Sequence, residues 1–208
     1  MVRFDGDQIC GALLRQWRAI VSAVPTLDLG QPSRIDGWRN REVLAHLYVQ
    51  PLLLARFLST ATADTADVDV TANLSGTGAF ADLIDASAKE GASMGKVDLG
   101  VPVDRVAPIL ETADLSATIT TLQGSISLTG YLVTRCVEAV VHGGDLIPPV
   151  VPDRVARTIA ADALMDALAT TAPELLPDAE QLSEEQWIDV ATGRGGPADQ
   201  VPGLQVMA

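Results

Sequence analysis

The sequence predicts a mainly α-helical bundle, and two observations carry that prediction. Of 208 residues, 48% are apolar but only 4% are aromatic, so the core has to be built from small aliphatic side chains. Alanine, valine and leucine recur at spacings of three and four over long stretches, which is the period of a helix face. The length suits a single main core.

A first helix is expected from about Asp7 to Val24, because Ile9, Leu13, Trp17, Ile20, Val21 and Val24 share one face and Pro25 stops it. A loop with Gly30, Pro32 and Gly37 then leads to Trp38, after which Asn40 caps a second helix running to about Thr60, kinked at Pro51. Residues 61 to 78 lack periodicity and read as loop. A third helix is expected from Phe80 to Met94. The stretch from Val97 to Gln123 mixes Pro102, Pro108 and β-branched residues and permits either short helix or strand. A fourth helix begins near Ser127 or Thr129 and ends at Gly143-Gly144, and a fifth runs from Pro152 to Pro173. These elements make residues 1–173 a bundle. Residues 174–208 form a short C-terminal segment, not an independent domain, that packs back on it.

The formal charge of -13 and pI near 4.3 disfavour phosphate backbones and anionic lipid surfaces, so neither nucleic acid nor membrane is an expected partner. No stretch approaches the roughly 20 apolar residues of a membrane span, and a cytoplasmic location is the expectation. Two cysteines, Cys10 and Cys136, form no CxxC pair and read as reduced thiols, Cys136 as a small buried hydrophobe.

The chain holds only two histidines. His46 falls on the side of its helix that carries Val43, Gln50, Leu53 and Phe57, so it points inward, where an imidazole needs a partner. Glu138 and His142, four residues apart, lie one above the other on the fourth helix. With His46 from a facing helix they make a three-ligand set for a divalent ion that leaves a position open for water or substrate. Nitrogen and carboxylate donors suit zinc best, although other divalent metals are accepted. Arg135, Glu138, His142 and Asp145 share one helix face, with Val133, Cys136, Val137 and Val140 opposite. The same pattern describes an ordinary amphipathic surface helix with Arg135 and Glu138 as a solvated pair, and His46 reads equally as a hydrogen-bonded core histidine.

The segments Trp38-Arg-Asn-Arg-Glu-Val-Leu-Ala-His46-Leu and Thr134-Arg-Cys-Val-Glu138-Ala-Val-Val-His142-Gly-Gly-Asp145-Leu resemble the signature segments of the mycothiol-dependent maleylpyruvate isomerase family, within the wider DinB-like metal-binding superfamily. The resemblance implies a DinB-like four-helix bundle with an additional helix and a short C-terminal appendage. It implies zinc ligands at His46, Glu138 and His142, with Asp145 orienting a ligand and Arg135 pairing with Glu138 or with an anion. It also implies mycothiol, the low-molecular-weight thiol of actinobacteria, as a cosubstrate whose thiolate attacks a small electrophile. Isomerases of the family carry a sizeable second domain, whereas little chain follows Pro173 here, so S-transfer is expected ahead of cis–trans isomerisation. Trp187 to Arg194 resembles a W-x-x-x-A-T-G-R element of that second domain, which makes Arg194 either a contact to an anionic substrate or an exposed turn residue. The alternative function is a non-catalytic metal-binding or ligand-sensing bundle, as a homodimer.

Overall fold

A computed structural model describes residues 4–195 and 206, and among them the chain is mainly helical. Four long helices make the frame: α1 (Gly6–Ala23), α2 (Asn40–Leu58), α6 (Leu128–Asp145) and α7 (Arg154–Thr171). Between α2 and α6 lie α3 (Val70–Ser75), α4 (Ala81–Ser93), α5 (Gly100–Leu110) and a hairpin of β1 (Thr118–Thr121) and β2 (Gly124–Ser127). Two short helices, α8 (Leu176–Ala179) and α9 (Glu184–Ala191), follow α7.

α6 is the axis of the bundle, packing against α1, α2 and α7, while α4 and α5 cover α2. The reading of α6 as an amphipathic surface helix is therefore overturned. Glu138 and Asp145, on its polar side, are as buried as Cys136 and Val137 on its apolar side, because α2 covers the first set and α1 and α7 the second.

The predicted ends shift for identifiable reasons. α1 starts earlier because Asp5 accepts from the Gln8 amide at 2.8 Å while the Gln8 side chain accepts from Asp5 N–H at 3.0 Å, a reciprocal cap. Asn40 is not the cap of α2 but its first helical residue. Its buried side chain donates to the carbonyls of Asp28 (2.9 Å) and Ile147 (2.8 Å) and accepts from Ile147 N–H (2.9 Å). This tie fastens the start of α2 to the chain just beyond α6. α2 continues through Pro51 to Leu58.

Ser127 caps α6, accepting from Gly130 N–H at 3.1 Å. The helix runs through Gly143 and Gly144 to Asp145 instead of stopping at the glycines. Gly143 serves close packing: a Cβ there would come within 3.2 Å of Gln16 Nε2 on α1. Pro152 lies before α7, whose cap is Asp153, accepting from Val155 and Ala156 N–H at 3.0 Å each.

Two regions read as loop or as ambiguous contain structure. Asp69 caps the short α3, and Val97 to Gln123 resolves into α5 and most of the hairpin. The hairpin pairs Ile119 with Ile126, both buried, and turns through Leu122 and Gln123 into Gly124 at φ 120°, a conformation that favours glycine.

The segment after α7 packs on that helix. Trp187 is buried and donates from its indole to the Ala161 carbonyl at 3.1 Å, and Ile188, Val190 and Ala191 join the same core. No helix among the described residues is long and apolar enough to cross a membrane.

Candidate metal centre and its cavity

The two histidines and Glu138 converge. α2 presents His46 and, one turn later, Gln50; α6 presents Glu138 and, one turn later, His142. His46 Nε2 lies 3.0 Å from Glu138 Oε2, His142 Nε2 lies 3.3 Å from the same oxygen, and the potential ligand atoms of the three residues all fall within 4.8 Å of one another. The imidazoles meet edge to face with centroids 4.7 Å apart, and the Trp38 ring packs against His46 at 5.8 Å. His46 is thus not a solitary core histidine.

Asp145 stands behind His142: its Oδ2 is 2.8 Å from Nδ1, leaving Nε2 directed at Glu138. Arg194 in turn grips Asp145 with two bonds, Nε to Oδ1 at 3.1 Å and Nη2 to Oδ2 at 2.9 Å. The expectation that Arg194 meets substrate or solvent is replaced by this contact, since the buried Asp145 needs a cation and the C-terminal segment supplies it. Arg34 joins the same corner through Asp189 and the Arg194 carbonyl.

Burial and hydrogen bonding set the charges. Burial alone would raise the Glu138 carboxyl, but hydrogen bonds to His142 and His46 and the nearby charge of Arg135 prevail and hold it well below the usual range. Burial also opposes charge on both imidazoles. It wins at His46, whose pKa is lowered, whereas at His142 the bonds to Asp145 and Glu138 win and the pKa is raised. Asp145, despite burial, is brought down to about 2 by His142 and Arg194.

A cavity of about 210 Å³ opens against this cluster. His46, Gln50 and Glu138 line its inner end; Leu53, Phe57, Phe80, Leu83, Ile84 and the hairpin tip Leu122 make it largely apolar. Arg135 is the one Lys or Arg side chain among the lining residues. It forms no ion pair with Glu138 among the described contacts; its guanidinium lies over the Tyr131 ring at 4.7 Å and donates weakly to Thr134 Oγ1 at 3.3 and 3.4 Å.

Cys10 and Cys136 are both buried and free, and burial pushes the Cys136 thiol up to about 13, away from nucleophilic use.

Gln50 was visible in the sequence only as an inward-facing residue. Its Nε2 donates to Glu138 Oε2 at 3.1 Å and lies 3.2 Å from His46 Nε2, and its Oε1 is buried without a hydrogen-bond partner. The signal that could have found it is its position four residues after His46 on the same face.

Comparison with curated proteins and with solved structures gives no match. The family model described as the mycothiol maleylpyruvate isomerase N-terminal domain matches residues 10–147, which take in α1, α2, α6, all three residues of the metal cluster and Asp145, and the chain therefore belongs to that family.

Proposed function

We propose that the protein is a divalent-metal-dependent thiol enzyme, with zinc held by His46, Glu138 and His142 and a mycothiol-type thiol as cosubstrate. The observation that carries the reading is the convergence of these three donors at the inner end of an otherwise mostly apolar cavity. The donor set fits the ion: two imidazole nitrogens and a carboxylate oxygen, gathered into one coordination sphere and shielded from bulk water, are a familiar catalytic zinc set. When bound, the ion supplies positive charge that lowers a thiol's pKa, so that the nucleophilic thiolate is available at neutral pH.

The chain's own residues do the rest. Asp145 holds Nδ1 of His142 and so keeps Nε2 as the donor. Arg194 keeps Asp145 ionised and oriented. The apolar walls exclude water from the electrophile, and Arg135 offers its guanidinium to an anionic group of either cosubstrate. The thiolate sulfur adds to the electrophilic carbon. If the adduct is kept, the outcome is S-transfer, the reading preferred here. If the carbon–sulfur bond breaks again after rotation about the former double bond, the outcome is cis–trans isomerisation.

The test is elemental analysis of tag-free protein beside His142→Ala, followed by incubation with mycothiol and a panel of small electrophiles. One equivalent of zinc in the parent, little in the variant, and zinc-dependent consumption of free thiol are the expected results. Turnover of a cis-enone with no loss of thiol would assign isomerisation instead. Metal binding without thiol-dependent turnover of any electrophile would overturn the enzyme reading in favour of a metal-binding or sensing bundle, and no metal even after incubation with zinc would overturn both.

A further inference from the structure

Gln50 is the residue at the cluster that neither the family signature nor the ligand set accounts for. It is 2% exposed, and its amide head lies 3.1 Å from Glu138 Oε2 and 3.2 Å from His46 Nε2. Those separations match the 3.3 Å between His142 Nε2 and Glu138 Oε2. They also match the edge of a tetrahedron of donors around an ion at bonds of about 2.0–2.1 Å, which is roughly 3.3 Å. The amide head thus stands where a fourth ligand stands.

The second observation is the orphan. Gln50 Oε1 has no hydrogen-bond partner although it is buried, a condition that few buried polar atoms in native proteins tolerate. The amide nitrogen meanwhile faces two acceptors, Glu138 Oε2 and His46 Nε2, whose lone pairs an ion would claim. A half-turn about Cγ–Cδ exchanges nitrogen and oxygen and sets Oε1 at that vertex.

We infer that Gln50 is a fourth, displaceable metal ligand, closing the resting site through Oε1 and yielding its place to an incoming thiolate. A neutral carboxamide oxygen is a weak donor to a borderline-soft ion and a thiolate is a strong one, so exchange runs in that direction. The inference rests on the metal reading above, and it makes the resting centre inaccessible to water without making it inert to thiol.

The test uses the whole, tag-free protein loaded with cobalt(II), beside Gln50→Leu and Gln50→Glu, with chelator-competition affinity and solvent-proton relaxation as readouts. The parent is expected to relax solvent protons weakly, since water does not reach the ion. Gln50→Leu is expected to raise that relaxation severalfold and to weaken binding about tenfold, and Gln50→Glu to restore both. Strong relaxation already in the parent, or unchanged values in Gln50→Leu, would overturn the inference while leaving the three-ligand site standing. A parent that binds neither cobalt nor zinc would overturn the site and the inference together. Should Gln50→Leu fail to fold, Gln50→Glu decides: an oxygen donor at a true ligand position binds at least as tightly as the parent, and weaker binding would overturn the inference.

Discussion

His46 and His142 stand 4.7 Å apart, ring to ring, on the same carboxylate, yet they are held in opposite ways. Behind His142 runs a charged chain, Asp145 and then Arg194, which reaches into the C-terminal segment and fixes the imidazole through its Nδ1. His46 has the Trp38 ring on one side and the neutral Gln50 amide on the other. The raised pKa of one and the lowered pKa of the other follow from that contrast. One half of the centre is locked by ion pairs and the other is positioned by packing, and the cavity opens on the packed half, where His46, but not His142, lines it.

The comparison can be broken at its centre first. Glu138→Ala removes the oxygen shared by both halves, and zinc affinity is expected to fall by more than about 100-fold, beyond the range usual for losing an outer partner, in a chelator competition. Asp145→Asn attacks the locked half: a loss of about 10–100-fold in zinc affinity is expected by the same assay. That variant also changes acid stability. Asp145 has its folded pKa depressed to about 2 from an ordinary 3.8, so its contribution, about 2 kcal/mol for a fully buried group, is present above that ordinary value and disappears as pH falls through about 2. Acid titration of the metal-free protein followed by circular dichroism should show Asp145→Asn losing stability mainly above pH 4, with the two proteins converging below it.

A smaller effect is expected from Arg194→Ala, which leaves Asp145 bonded to His142 but unpaired at its other side: about a tenfold loss of affinity, checked in the same competition. The smallest belongs to the packed half, where Trp38→Phe keeps a ring against His46 and should change zinc affinity by less than about threefold, since a ring–ring contact is worth about 1 kcal/mol at most when a ring remains. If Trp38→Phe weakened binding more than Asp145→Asn did, the assignment of the two halves would be reversed.

The long helices were legible because their apolar residues repeat over many turns. α3 was not, since it has six residues in a run of Ala, Thr, Asp and Ser and depends on the Asp69 cap. α5 was obscured by Pro102 and Pro108, which the helix accommodates near its two ends. Gly143-Gly144 misled in the other direction, because glycine that serves close packing on α1 looks like glycine that ends a helix. In the site, Glu138, His142 and Asp145 were readable from spacing on one helix and His46 from its inward face. Arg194 lies 49 residues beyond Asp145, a contact that only the docking of α9 on α7 creates.

The Asn40 tie deserves a last physical reading as a gauge. It joins the first residue of α2 to Ile147, six positions before His46 on one strand of the argument in space and five beyond His142 on the other. The two ligand-bearing helices are thereby pinned close to where their imidazoles meet, and their separation at the centre has little room to vary. A pinned aperture discriminates among ions by radius, favouring small ones with short bonds to nitrogen over calcium-sized ones, so that an asparagine with no contact to the ion sets which ion fits.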